Sequence, residues 1–170
     1  MLSQIRHDIS GIIDPFARFF LRLGLSPNQI TITGLIIGLA TSYLIATGYY
    51  LYGGILVIVC GLFDTLDGAV ARLSNRITPY GGILDSTTDR IVDASLLIGV
   101  GISGAAEWLL ITIAITASLI VSYVRARSEA TGIIKKLDTG IAERAERMII
   151  LAAGLIAGFI RESIILIILH

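Results

Sequence analysis

Asp64, Asp67, Asp85 and Asp89 stand inside two segments that are otherwise long and apolar enough to cross a bilayer. A carboxylate at that depth costs roughly 2.5 kcal/mol or more. Four of them within 26 positions constrain the fold. The two helices must turn these faces toward one another or toward a polar cavity, and something cationic must compensate them. A divalent ion is the simplest candidate, so the chain reads as a metal-dependent membrane enzyme.

Composition agrees. Of 170 residues, 55% are hydrophobic, too many for a soluble domain of this length. The formal net charge is zero, which gives no reason to expect a nucleic-acid partner. Cys60 is the sole cysteine and sits in an apolar run, so no intrachain disulfide can form and a buried apolar role is expected. His7 and His170 lie near opposite ends, which argues against a zinc site built on histidine. The N-terminus carries no signal-peptide pattern.

Hydrophobic patterning predicts an all-α membrane protein. Residues 1–24 place Ile5, Ile9, Ile12, Ile13, Phe16, Phe19 and Phe20 at spacings of three to four, with Arg6, Asp8, Asp14, Arg18 and Arg22 between. That is an amphipathic helix lying in the membrane interface, expected to break at Pro15. Spans follow at 27–48, 51–74, 80–104, 106–128 and 140–160, with Pro27 and Pro79 at helix starts, where proline is tolerated. The apolar run 164–169 is too short to cross and is expected to be the beginning of a sixth span, short or cut off. The organisation is thus a juxtamembrane helix, 1–24, and a transmembrane domain, 25–170, of about six helices. Alternating through the spans, nearly all basic residues fall on one side, with Arg161 opposite. The basic side is expected to be cytoplasmic, and the aspartates lie in that leaflet.

Helical spacing puts Asp64, Asp67, Gly68 and Ala71 on one face, followed by Arg72, whose planar fork suits phosphate oxygens. Gly68 and Ala71 leave that face open to a ligand or a neighbouring helix. The next segment repeats the logic with Gly81, Asp85, Asp89 and Asp93 at intervals of four. If the two helices are neighbours, four to five carboxylates converge. Asp93 alone can equally pair with an arginine. All-oxygen ligands favour magnesium or manganese, and two ions fit the number of charges. A cation channel or transporter would also keep intramembrane acids, but it does not need the interleaved glycine, alanine and arginine.

The run from Asp64 to Asp89 resembles the signature of the CDP-alcohol phosphotransferases, D-x2-D-G-x2-A-R-x8-G-x3-D-x3-D. Asp64, Asp67, Gly68, Ala71, Arg72, Gly81, Asp85 and Asp89 match every fixed position and gap. The resemblance implies an integral membrane transferase that moves a lipid-phosphate group from a CDP-lipid to an alcohol and releases CMP. It implies metal ligands at Asp64, Asp67, Asp85 and Asp89, with Asp89 also the general base. Contacts to the CDP-lipid fall on Gly68, Ala71, Arg72, Thr78 and Gly81, and on Pro27, Asn28, Gln29, Ile30 and Thr31. Related enzymes are homodimers, so a homodimer is expected.

The acceptor is written less clearly. Arg125, near the end of the fourth span, and Arg144 and Arg147, at the start of the fifth, lie level with the aspartates. Arginine forks can hold an anionic acceptor; they can equally be positive-inside anchors. The segments 80–90 and 140–147 are similar to the inositol-phosphate branch of the family, in actinobacteria and archaea. That implies inositol 1-phosphate as acceptor, with Arg125, Arg144 and Arg147 as contacts to its phosphate. Glycerol 3-phosphate is the alternative within the class. Membrane prenyltransferases and cation transporters are more remote readings.

Overall fold

The computed structural model describes residues 13–131 and 144–169, with side chains to Phe159. Helices make up all the regular structure among them: α1 (13–22), α2 (Pro27–Ala46), α3 (Tyr50–Leu73), α4 (Pro79–Ile102), α5 (Trp108–Ala130) and α6 (Arg144–Leu169). α2, α3 and α5 are long and apolar enough to cross a membrane. α4 and α6 match them in length, and α3, α4 and α6 carry the charges of the cluster.

Local chemistry sets the boundaries. At the start of α2, Ser26 Oγ accepts from Gln29 N while Gln29 Oε1 accepts from Ser26 N at 2.8 Å, a reciprocal cap ahead of Pro27. At α4, Thr78 Oγ1 accepts from Gly81 N at 3.0 Å, ahead of Pro79. α3 ends where Asn75 turns left-handed (φ 52°). There Arg76 N reaches Ala71 O, and Asn75 N reaches Arg72 O.

Ahead of Pro15 only residues 13 and 14 are described, both helical. One expectation is corrected. The run 164–169 is not a separate element, because α6 continues through it without interruption. The Arg161–Glu162 pair is charged but contains no helix breaker. Residues 1–12, 140–143 and 170, part of the expected interfacial helix, fifth span and chain end, lie outside the described residues.

Small residues set how closely the helices approach. A Cβ on Gly99 would stand 2.6 Å from the Ser42 carbonyl oxygen, and one on Gly38 would stand 2.6 Å from a Val92 methyl, so α2 and α4 run side by side in the same direction. Asp64 meets Arg144 at one end of α3, and Gly54 meets Ala152 and Ile156 near the other, so α6 runs antiparallel to α3. The main core joins Ile45, Val57, Cys60, Val92, Leu96, Met148, Ala152 and Leu155. Cys60 is buried there as expected. A second cluster packs Ile13 and Ala17 of α1 onto Ile30, Leu66, Ala69 and Val70. α5 buries Ile111 and exposes Trp108, Leu109, Leu110 and Ile113, a surface suited to lipid. In lipid, packing rather than water exclusion holds such a bundle.

Candidate active site

Antiparallel packing brings the end of α3, the starts of α2 and α4 and the start of α6 to one end of the bundle. There, carboxylate oxygens of Asp64, Asp85 and Asp89 lie within 4.8 Å of one another. Asp64 comes from the last turns of α3; Asp85 and Asp89 lie one turn apart on α4. The two helices thus meet, and three of the four to five carboxylates expected to converge gather there, with Asp67 and Asp93 outside this group.

Arg144 enters this cluster from α6. Its Nη1 reaches Asp64 Oδ1 at 2.8 Å and Asp89 Oδ1 at 3.0 Å. Its Nε donates to Asp93 Oδ1 at 3.1 Å, and Arg147 Nη2 donates to Asp93 Oδ2 at 3.1 Å. Asp93 therefore pairs with arginine. Asp85 Oδ1 is buried and has no hydrogen-bond partner among the described residues. Burying such an oxygen unpaired costs about 1–3 kcal/mol, more for a charged group. A hard, oxygen-preferring dication would satisfy it, so the donor set fits magnesium or manganese.

Asp67 is 6% exposed and stands outside the group of three. Its Oδ2 accepts from Thr31 Oγ1 at 2.6 Å. Thr31, implied as a nucleotide contact, thus has its hydroxyl on a carboxylate of the motif. Nothing in a single sequence signals this bond across 36 positions. Ile30 is buried in the core beneath α1, and Gln29 is engaged in the cap on Ser26. A recess runs from Ile30 and Thr31 past Cys60, Asp64 and Asp67 to Asp89 and Arg144.

The other implied nucleotide contacts fall in two places. A Cβ on Gly81 would come within 3.1 Å of Thr78 Oγ1 and 3.4 Å of Asn28 Oδ1, so the starts of α2 and α4 meet at this glycine, next to Pro27. On α3, a Cβ on Gly68 would stand 3.3 Å from Arg72 Nη1. The Arg72 guanidinium therefore lies over Gly68, one turn back along a face that Ala71 keeps low. Of the three implied acceptor contacts, Arg144 and Arg147 reach the acidic cluster. Arg125, half-buried on α5, makes no ion pair among the described residues.

A sequence model described as CDP-alcohol phosphatidyltransferase matches residues 24–169. The archaetidylinositol phosphate synthase of Methanothermobacter thermautotrophicus is 44% identical over 160 residues, covering 94% of this chain and 80% of that protein. The phosphatidylinositol phosphate synthase of Corynebacterium glutamicum is 36% identical over 159 residues, covering 85% and 68%. Crystal structures of the Mycobacterium tuberculosis phosphatidylinositol phosphate synthase are similar over most of this chain. The one with CDP-DAG bound superposes with a TM-score of 0.72 at 33% identity, covering 86% of this chain and 85% of that one. The one in complex with manganese and citrate gives 0.73 at 32% identity, covering 85% and 80%.

Proposed function

The chain belongs to the CDP-alcohol phosphatidyltransferase family, and from that premise we propose that it joins a CDP-activated membrane lipid to inositol 1-phosphate. The observation that carries the reading is the convergence of Asp64, Asp85 and Asp89 within 4.8 Å beside the Arg144 guanidinium. Carboxylates and an arginine fork serve opposite needs, one for cations and one for a phosphate-bearing acceptor. The names of the similar proteins favour inositol phosphate over glycerol 3-phosphate.

In the reaction, an inositol hydroxyl oxygen bonds to the lipid-side phosphorus of the CDP-lipid. The bond from that phosphorus to the bridging oxygen breaks, and CMP leaves with that oxygen. Asp89, 22% exposed at its side chain, takes the hydroxyl proton as general base. Magnesium or manganese, as two ions on Asp64, Asp67, Asp85 and Asp89, would supply neutralisation of the pyrophosphate and of charge on the departing CMP. Thr31 holds the Asp67 carboxyl in one orientation. Gly68 and Ala71 let the nucleotide approach α3 while Arg72 meets phosphate oxygens. Asn28, Thr78 and Gly81 line the opposite wall beside Pro27. Arg144 and Arg147, with Arg125 as a third contact, receive the acceptor's phosphate.

α2–α6 then cross the membrane of the cell with this end at the cytoplasmic side, where the basic residues gather. α1 lies in the interface ahead of a transmembrane domain beginning near residue 25, where a soluble acceptor meets a lipid donor. Two chains associate as a homodimer.

CMP release from CDP-lipid in vesicles with magnesium tests the reading, comparing inositol 1-phosphate, glycerol 3-phosphate, serine and free inositol. Release with inositol 1-phosphate is expected. Release with glycerol 3-phosphate instead would remove the acceptor assignment and keep the aspartate chemistry.

A further inference from the structure

Asp93 lies one turn beyond Asp89 on α4 and outside the eight-residue motif. Its side chain is 15% exposed, and each of its oxygens is taken by a different arginine, Arg144 Nε on Oδ1 and Arg147 Nη2 on Oδ2, both at 3.1 Å. Those two arginines stand three residues apart on one face of α6. Arg144 is shared, because its Nη1 turns away from Asp93 toward Asp64 and Asp89.

We propose that Asp93 is a positioning residue: it clamps Arg144 and Arg147 side by side so that both guanidinium groups face the phosphate of the acceptor. This rests on the reading that the acceptor carries a phosphate, and not on which alcohol it is. Two guanidinium groups repel at close range, and each side chain has many rotamers. A carboxylate between them offsets the repulsion and fixes both forks before the anion arrives. A merely neutralising acid would need one arginine; Asp93 gives one oxygen to each. It is not among the carboxylates gathered within 4.8 Å, and both its oxygens already accept from nitrogen, so it is poorly placed as a metal ligand. Asp93 and Arg147 also border a recess with Arg90 and with Ser118 and Ser122 of α5. Its wall is mixed, since Ala94, Leu97, Ile115 and Leu119 complete it, and Arg144 borders the neighbouring recess with Asp64 and Asp89. Ligand-holding side chains are commonly aligned by such outer partners.

The test uses the full chain in vesicles, with Asp93→Asn and Asp93→Glu. Acceptor KM and kcat come from CMP release, acceptor affinity from calorimetric titration of inositol 1-phosphate, and metal affinity from the paramagnetic resonance of free Mn2+. Losing charge-assisted bonds predicts a rise in acceptor KM of about tenfold or more for Asp93→Asn. The change in kcat should be small, and the donor KM and Mn2+ affinity unchanged. Asp93→Glu should restore part of the loss, and Asp93→Asn should raise acceptor KM by a smaller factor in an Arg147→Ala background than on its own, because only Arg144 is then left to lose its partner. Unchanged acceptor affinity, weakened Mn2+ binding, or loss of the melting transition and donor binding in Asp93→Asn would each overturn the clamp. Turnover of glycerol 3-phosphate in place of inositol 1-phosphate would remove the inositol reading and move the same measurement to that acceptor. Turnover confined to serine or free inositol, which bear no phosphate, would overturn the clamp itself.

Discussion

The two ends of the bundle are built on opposite principles. Away from the site, Ile45, Val57 and Leu96 fill the space between α2, α3 and α4, and Gly99 lets α4 touch the backbone of α2 at Ser42. At the site, packing gives way to charge: Asp64, Asp89 and Asp93 share Arg144, Arg147 shares Asp93, and Asp85 keeps a buried oxygen with no described partner. The first arrangement is specified by shape and tolerates no extra atom. The second is specified by sign and is left incomplete, as a site for cations and anions must be. Stability and function therefore reside in different residues of the same helices.

Removing divalent metal is the hardest test of that division. A chelator should abolish CMP release, magnesium or manganese should restore it, and the apolar end should keep the chain folded, as read by circular dichroism. Unfolding on chelation would merge the two ends into one. Next is Asp89→Asn, which should lower turnover by about 10²–10⁴-fold, the usual contribution of a general base, with the melting temperature in detergent held. Appreciable residual activity would take Asp89 out of that role. Leu96→Ala attacks the other end. A fully buried leucine truncated to alanine costs about 2–5 kcal/mol, so melting should fall while the specific activity of the folded fraction persists. Gly99→Ala should cost about 1–3 kcal/mol by overpacking, since the atom it would meet is backbone. Of similar size is Thr31→Val, which removes the bond to Asp67. One hydrogen bond to a charged group is worth about 1.5–3 kcal/mol, and the loss should appear as weaker Mn2+ binding rather than lower melting.

The helices themselves were legible in the sequence. Expected spans at 27–48, 51–74 and 80–104 stand beside observed helices Pro27–Ala46, Tyr50–Leu73 and Pro79–Ile102, because Ser26-Pro27 and Thr78-Pro79 are start signals readable from residue type alone. The meeting of Asp64, Asp85 and Asp89 was legible for a related reason: a spacing of three or four defines a face without knowledge of the partner. What crosses between helices was not. The possibility that Asp93 pairs with arginine could be stated, but not that it takes two, and Thr31 gave no hint of Asp67. Such contacts depend on helix rotation and crossing, which are set by close approaches at Gly38 and Gly99 many residues away. The continuity of α6 through 164–169 was missed because the fifth span was closed at a membrane-crossing length, whereas helices end at capping and breaking residues.

The contact between Gly99 and the Ser42 backbone is one of three rivets along the seam of α2 and α4, with Val92 on Gly38 and Gly81 beside Asn28 as the others. Asp85 lies between the last two, fourteen residues or about 21 Å from the first at 1.5 Å per residue. Ligand distances around a small dication are held within a few tenths of an ångström. A seam fixed at three points along α4 holds its carboxylates to that tolerance, so the same glycines that bring the helices together also gauge the site.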